Sequence, residues 1–137
     1  MANTVRRVEY FYVTVPDKPG EGNKILSALR QAGVNLIAFL GFPAGGGKAQ
    51  LDLIPQDTAA LKGAAQKAGW QLVGPKWAFL IQEGDRVGAV ADAEGKLAGA
   101  GVNITATSAA TCGQGHYGMV LWVPPADYEK AAKALGA

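Results

Sequence analysis

A short turn rich in charged residues and glycine has the residue types that bind the polar ends of an α-amino acid. It reads Asp17-Lys18-Pro19-Gly20-Glu21-Gly22, and Asn35 follows Asp17 by eighteen residues. The turn opens a predicted helix, whose first N–H groups lack partners and attract a carboxylate. Asp17 supplies charge opposite to an ammonium, Gly20 and Gly22 let a ligand approach the backbone, and the Asn35 amide both donates and accepts hydrogen bonds. We expect Asn35 to lie beside the helix N-terminus and complete the site.

The same candidate site recurs later in the chain, as Asp85, Gly88 and Asn103. Residues 11–36 align without a gap on residues 79–104 at an offset of 68, with identity at eight of twenty-six positions. Such self-similarity indicates a duplicated supersecondary unit. Two packed copies also bury more surface than one domain of about 60 residues can bury alone.

Each motif also has an interpretation that needs no ligand. Asp, Pro and Gly are favoured in an ordinary strand-to-helix turn, and Asn after glycine tolerates an unusual backbone angle at the start of a strand. Recurrence does not separate the two interpretations, because duplication preserves a turn required by the fold as readily as a binding loop.

Two other patterns suggest chemistry but lack the partners it requires. Cys112 and His116 lie four residues apart, which invites a nucleophile and a base, yet no third group orients the histidine and one thiol with one imidazole makes a poor metal site. Gly45-Gly46-Gly47-Lys48 superficially resembles a phosphate-binding loop, but Phe42 occupies the position of its first glycine and Ala49 that of its Ser or Thr. We therefore expect no catalytic residue, no metal and no cofactor.

The composition is that of a globular protein with no evident polyanionic partner. The 137 residues are 49% hydrophobic and 18% charged, with a formal net charge of +2. That small, scattered charge does not favour nucleic acid, and Tyr10-Phe11-Tyr12 lacks an RNA-binding signature around it. One cysteine, Cys112, suits a reducing compartment. Met1 to Glu9 shows no signal peptide, and no run approaches the roughly 18 apolar residues of a membrane span, so we expect a cytoplasmic protein without a membrane partner.

Apolar periodicity and turn residues predict the order β, α, β, β, α in each copy. These elements must position the motifs. In the first copy they are a strand at Tyr10 to Val15, a helix with its buried face along Ile25, Ala28, Leu29 and Ala32, a hairpin of Val34 to Phe42 with Ala49 to Ile54, and a second helix at Asp57 to Ala68. In the second copy they are a strand at Trp77 to Gln82, a helix with its buried face along Val90, Ala93, Leu97 and Ala100, a hairpin of Val102 to Thr111 with Tyr117 to Val123, and a second helix at about Ala126 to Leu135.

The two copies differ in their last strand. The first copy has one at Trp70 to Val73, and Gly74-Pro75 is predicted to separate it from the next copy. In the second copy the last strand is apparently missing, because the sequence ends directly after a helix. We expect Thr4 to Glu9 to substitute for it at the open edge of that sheet.

These motifs resemble the ACT domain family of amino-acid-binding regulatory modules. The family pattern is Asp or Asn, any residue, Pro-Gly, a helix, then Gly-Val-Asn-Ile. Here it reads Asp17-Lys18-Pro19-Gly20 with Gly33-Val34-Asn35-Leu36, and Asp85-Arg86-Val87-Gly88 with Gly101-Val102-Asn103-Ile104, so the second copy lacks the proline. The resemblance implies a ferredoxin-like βαββαβ fold, modules that pair side by side, and ligands bound between modules by the loop and the Asn position.

We therefore predict an α+β protein of two tandem ACT-like modules, residues 1–74 and 75–137, with antiparallel sheets and helices on one face. The resemblance implies a regulatory or sensor protein, not an enzyme, that binds a small molecule such as an amino acid and acts in trans, as a homodimer or on a metabolic enzyme partner. The alternative is an interaction module that pairs with itself or with an enzyme and binds no ligand. The expected ligand residues are Asp17, Gly20, Gly22, Asn35, Asp85, Gly88 and Asn103.

Overall fold

The computed structural model describes residues 3–137, which form two compact units. The first module comprises residues 9–76, and the second comprises residues 3–8 together with 77–137. The predicted boundary between residues 74 and 75 does not account for residues 3–8, which belong to the second module. Met1 and Ala2 lie outside the described residues. They belong to the predicted first module and to the N-terminal stretch that shows no signal peptide.

Residues 3–137 form six strands and four α-helices, in the order β-α-β-β-α twice over. In chain order they are β1 (Thr4–Pro16), α1 (Glu21–Gln31), β2 (Leu36–Gly45), β3 (Lys48–Pro55), α2 (Thr58–Ala68), β4 (Val73–Gly84), α3 (Ala89–Gly99), β5 (Ala106–Gly113), β6 (His116–Trp122) and α4 (Tyr128–Leu135), with a 3-10 turn at Pro125–Asp127 before α4. The predicted succession of elements is confirmed in both copies, with boundaries shifted by a few residues.

The first module has a four-stranded sheet in the order β2-β3-β1-β4, to which β1 contributes residues 9–16 and β4 residues 73–76. β3 pairs antiparallel with both β1 and β2, and Phe11 lies opposite Leu53. Alternate residues of β1 and β3 pack against α1 and α2, in a core that includes Phe11, Leu29, Leu53 and Leu61. This is the predicted ferredoxin-like arrangement, with the helices on one face of the sheet.

The second module repeats this order as β5-β6-β4-β1, with the chain's N-terminal residues in the fourth position. Val5 packs against the module's core, and the Asn3 side-chain oxygen accepts a hydrogen bond from the Gly84 N–H at 3.1 Å. Arg7 donates two hydrogen bonds to the Glu129 carboxylate at 2.8 and 3.0 Å. The prediction that Thr4 to Glu9 substitutes for the missing last strand is thereby confirmed.

The predicted strand from Trp70 to Val73, and the predicted break after it, are wrong. The Trp70 N–H still donates to the Ala65 carbonyl at the end of α2, so the extended backbone starts only at Val73. It then continues through Gly74 to Gly84 as one strand. A Cβ at Gly74 would stand 2.7 Å from a ring carbon of Phe11, so this glycine permits close packing and does not mark a turn.

Asp52 is the one buried charged residue of the described core. Its side chain is 1% exposed, and its Oδ1 accepts a hydrogen bond from Gln50 at 2.8 Å. Oδ2 has no hydrogen-bond partner among the described residues. Burial raises the pKa of this carboxyl, against the opposing effects of the Gln50 hydrogen bond and the positive charge of Lys76.

We predict that replacing a fully buried leucine of the first module lowers stability sharply. Leu53→Ala removes packing at a site with 0% exposure, and should lower the free energy of unfolding by about 2–5 kcal/mol in urea denaturation. Val87→Ala is the control, because Val87 is fully exposed, and should change that free energy by less than about 0.5 kcal/mol. Equal effects of the two substitutions would contradict the packing described.

We also predict that the free energy of unfolding depends on pH through Asp52. Its pKa is higher in the folded chain than the ordinary 3.8, so the folded state holds the proton more tightly, and stability decreases as pH rises from 3.8 through the folded-state pKa. Asp52→Asn should therefore flatten the dependence of unfolding free energy on pH in urea titrations. A slope identical to that of the parent protein over this range would refute the assignment.

Candidate functional site

The loop between β1 and α1 is held to the tip of the β2–β3 hairpin. The Asp17 N–H donates to the Gly47 carbonyl at 2.9 Å. Gly20 precedes α1 with φ of 87°, in the left-handed region that glycine adopts most readily, and has no side chain with which to cap the helix. The start of α1 is therefore free of a side-chain cap and faces the hairpin.

The second module repeats this geometry in the loop between β4 and α3. The Asp85 N–H donates to the Gly115 carbonyl at 2.8 Å, and Gly88 precedes α3 with φ of 85°. Val87 replaces the proline of the first copy without changing the left-handed glycine after it. The loop conformation thus survives the loss of the proline.

A pocket lies beside each loop. The first-module pocket encloses about 240 Å³ and is bordered by Val15, Pro16, Asp17, Lys18, Gly22, Gly41, Phe42, Pro43, Ala49 and Leu51. The second-module pocket encloses about 250 Å³ and is bordered by Asp85, Arg86, Gly88, Ala89, Val90, Ala91, Ala109, Ala110, Thr111 and Tyr117. Seven residues of the two linings, beginning with Asp17 and Asp85, correspond at the repeat offset of 68. Each module therefore has the same pocket in the same place.

The expected position of Asn35 beside the helix N-terminus is wrong. Asn35 lies after the other end of α1, where its Nδ2 donates to the Gln56 side-chain oxygen at 3.2 Å. It borders a separate pocket of about 380 Å³ together with Arg30. The eleven residues of α1 span about 16 Å at 1.5 Å per residue, and β2 starts where the helix ends. One ligand cannot touch both Asp17 and Asn35 of the same module.

Asn103 has the equivalent place in the second module. The Val102 N–H before it donates to the Leu97 carbonyl near the end of α3, as the Val34 N–H does to Leu29 in the first module. The Asn103 side chain is exposed. Both asparagines are thus remote from the loop pockets of their own modules.

Of the predicted ligand residues, the structure places four on the loop pockets. Asp17 and Gly22 border the first pocket, and Asp85 and Gly88 border the second, while Gly20 sets the loop conformation. Sequence reasoning missed the contribution of the hairpin strands, which is Gly41, Phe42, Pro43, Ala49 and Leu51 in the first pocket and Ala109, Ala110, Thr111 and Tyr117 in the second. The glycine-rich hairpin turns were the available signal, since their tips hold the loops.

Charged and polar groups distinguish the second pocket. The Arg86 guanidinium donates a hydrogen bond to Asp92, which raises the pKa of Arg86. The Tyr117 hydroxyl donates to the Glu83 carboxylate at 3.4 Å. Burial, and then the negative charge of Glu83, raise the pKa of Tyr117, so its hydroxyl keeps its proton at neutral pH.

Cys112 and His116 lie at the two ends of the turn that joins β5 to β6. Cys112 is exposed and free, and His116 Nδ1 lies 2.9 Å from the Gln114 carbonyl oxygen. Residues 3–137 contain no group of three or more His, Cys, Asp or Glu side chains arranged to hold a metal ion. In the same stretch, none of the helices has the length and apolar character needed to cross a membrane.

Fold and pockets together define two tandem modules of the ferredoxin-like βαββαβ class, each with a pocket beside its first loop. Among solved structures, a protein from Bacteroides thetaiotaomicron superposes with a TM-score of 0.83 at 17% identity, over 96% of this chain and 88% of its own. The ligand-free regulatory subunit of aspartate kinase from Thermus thermophilus gives a TM-score of 0.65 at 15% identity, over 98% and 94%. Aspartokinase III from E. coli, in complex with aspartate and ADP, gives 0.54 at 12% identity, over 98% and 32%. No protein-family model and no curated protein matches the sequence.

We predict opposite stability effects of alanine at two glycines with open surroundings. An added Cβ at Gly20 or at Gly63 meets no atom within 4 Å. Gly20→Ala should lower the free energy of unfolding by about 1–2 kcal/mol, because alanine is strained at positive φ. Gly63→Ala, inside α2, should raise it by about 0.5–1 kcal/mol. Chemical denaturation of both variants checks the pair, and a Gly20→Ala variant as stable as the parent would rule out the loop conformation.

Proposed function

We propose that this chain is a non-catalytic regulatory protein that binds an amino acid or a similar small ligand and acts in trans on a partner such as a metabolic enzyme. The observation that carries the proposal is the pocket repeated at the same loop in both modules. The likeness of the fold to a free-standing regulatory subunit of aspartate kinase supports it, because the chain covers 94% of that subunit. The free Cys112 suits a cytoplasmic location.

The loop pockets have the chemistry that an amino acid requires. The first N–H groups of α1 and α3 donate to the Lys18 and Arg86 carbonyls, and the following N–H groups of the first turn, with the positive end of the helix dipole, are offered to a carboxylate. Asp17 and Asp85, which border the pockets, offer negative charge to an ammonium. Both ends of a zwitterion therefore find a complementary group within one loop.

The asparagines enter the proposal only through a second copy of the chain. Since Asn35 lies at the far end of α1 from Asp17, the two residues of one module do not hold the same ligand. A homodimer would bring the loop of one copy to the asparagine of the other through a symmetric interface. We therefore propose that Asn35 and Asn103 contact ligands held mainly by the loop of a second copy.

One observation favours the alternative function of a protein-interaction module. Phe39 and Phe42 on β2 are 40% and 39% exposed, which is unusual for large apolar side chains on one strand. β2 is also the terminal strand of its module's sheet, so its outer backbone groups are available to another strand. A chain that uses this edge alone would pair with a partner and bind no amino acid.

We predict that an amino acid or related metabolite stabilises the protein against heat. A ligand at about a hundred times its dissociation constant adds about 2.7 kcal/mol to the free energy of unfolding, which raises the melting temperature by several degrees. A thermal-unfolding screen against a panel of such compounds measures this. Asn35→Ala and Asn103→Ala should reduce the shift without unfolding the protein.

Gln71→Ala is the control for loss of a side-chain amide, because Gln71 is exposed and borders neither loop pocket. It should leave the ligand-induced shift unchanged. The absence of any shift across the panel, combined with concentration-dependent self-association, would overturn ligand binding in favour of the interaction module.

A further inference from the structure

A further pocket of the first module lies away from its loop, between the end of α2 and the start of β4. It encloses about 340 Å³, within the range of about 300–1,000 Å³ that small-molecule sites occupy. Its lining combines the apolar side chains of Phe11, Trp70 and Leu72 with the polar side chains of Lys62 and Gln66. None of these residues borders the loop pocket of the module. We call this space the α2 pocket.

The course of the chain after α2 creates the α2 pocket. Residues 70–72 belong to no strand, and Trp70 and Leu72 are partly buried against the core of the module. Gly74 also borders the pocket and has no side chain to fill it, since a Cβ there would stand 2.7 Å from a ring carbon of Phe11. The apolar residues that were predicted to form a strand therefore line a cavity instead.

The second module contains a stack of three groups at the corresponding place. The ring of Tyr128 on α4 is stacked on the ring of Phe79, with the centroids 4.5 Å apart and the planes 9° from parallel. The Arg7 guanidinium lies 5.6 Å from the centroid of the Tyr128 ring. Phenyl ring, second aromatic ring and cation thus follow one another, an order that ring stacking and cation–π attraction both favour.

The first module has a leucine where the second has the middle ring of this stack. The helices α2 and α4 each end at a glycine in the left-handed conformation, Gly69 or Gly136. Counted back from these glycines, Leu61 of α2 and Tyr128 of α4 both stand eight positions earlier. Leu61 is fully buried in the core. The helix of the first module therefore supplies no aromatic ring at this position.

The two outer members of the stack are nevertheless present in the first module. Phe11 corresponds to Phe79 at the repeat offset of 68. The ammonium of Lys62 lies 5.7 Å from the centroid of the Phe11 ring, and both residues border the α2 pocket. α2 contains no aromatic residue at all. A ligand ring in the pocket would supply the middle member that Tyr128 supplies in the second module.

The charge of the α2 pocket favours an anion. Lys62 and Gln66 are both exposed on α2, and each offers N–H donors to a carboxylate. Among the described residues that border this pocket there is no Asp or Glu, whereas Asp17 borders the loop pocket of the same module. An ammonium group would therefore lose water here without gaining an ionic partner.

We propose that the α2 pocket binds a small aromatic carboxylate. Its ring lies between Phe11 and the Lys62 ammonium and packs against Trp70, while its carboxylate accepts hydrogen bonds from Lys62 and Gln66. The exposed Lys62 side chain turns outward to admit the ring, because Phe11 is only 1% exposed beneath it. This site is separate from the loop pockets and does not depend on the proposed function.

Titration calorimetry of the full chain with sodium phenylacetate and with phenethylamine tests the proposal, because the two probes share a ring and differ in the sign of their charge. Phenylacetate should bind saturably, and phenethylamine should not. Lys62→Gln should weaken phenylacetate binding about three- to tenfold, the effect of losing a partly exposed charged donor. Gln66→Glu keeps the shape of the side chain and should also weaken it, because the added negative charge repels the carboxylate.

Lys67→Gln is the matched control, because it removes the same charge from the same helix at an exposed residue that does not border the α2 pocket. It should leave phenylacetate affinity unchanged. Melting temperatures of the variants without ligand, equal to that of the parent chain, would show that they fold. Absence of saturable phenylacetate binding, equal binding of both probes, or equal effects of Lys62→Gln and Lys67→Gln would each overturn the proposal. None of these results bears on the loop pockets, which Asn35→Ala and the thermal screen test separately.

Discussion

A single backbone hydrogen bond, made once in each module, determines the form of both candidate sites. The N–H of Asp17 and that of Asp85 each donate to the carbonyl of the last glycine in a hairpin turn, Gly47 or Gly115. This bond brings the loop, the start of the following helix and the hairpin strands around one small space. The pockets are thus a consequence of the βαββ order itself.

The same chain order separates the asparagines from the loops. In a βαβ segment the helix returns the chain to the far end of the sheet before the next strand begins, so Asp17 and Asn35 lie beyond opposite ends of α1, which is about 16 Å long. Each module therefore presents its loop and its asparagine at opposite ends of the same helix.

Much of the architecture could be predicted from the sequence, because each module repeats the same periodic pattern. The repeat, the glycine-rich hairpins and the Asp57 helix cap, which accepts from the Ala60 N–H at 3.2 Å, all have local signals. The fourth strand of the second module could be predicted only by counting strands, since its residues lie far away in sequence. The predicted break at Gly74-Pro75 is wrong because glycine next to proline is typical of a turn, and the close approach of Gly74 to Phe11 has no local signal in the sequence. For the site, the loop residues have a motif and the hairpin turns have their glycines, but which strand residues border each pocket depends on strand register, which has no local signal.

The most direct test of ligand binding at the loop pockets is to titrate a 15N-labelled sample of the full chain with the amino acid that gives the largest thermal shift, and to follow the backbone amides by NMR. If a ligand binds at the loop pockets, the largest changes in amide chemical shift occur in the loops around Gly20 or Gly88 and in the facing hairpin residues. Smaller changes occur at Asn35 or Asn103. Changes confined to the part of β2 around Phe39, with the amides of the loops and of the pocket residues unmoved, would contradict ligand binding at the loop pockets.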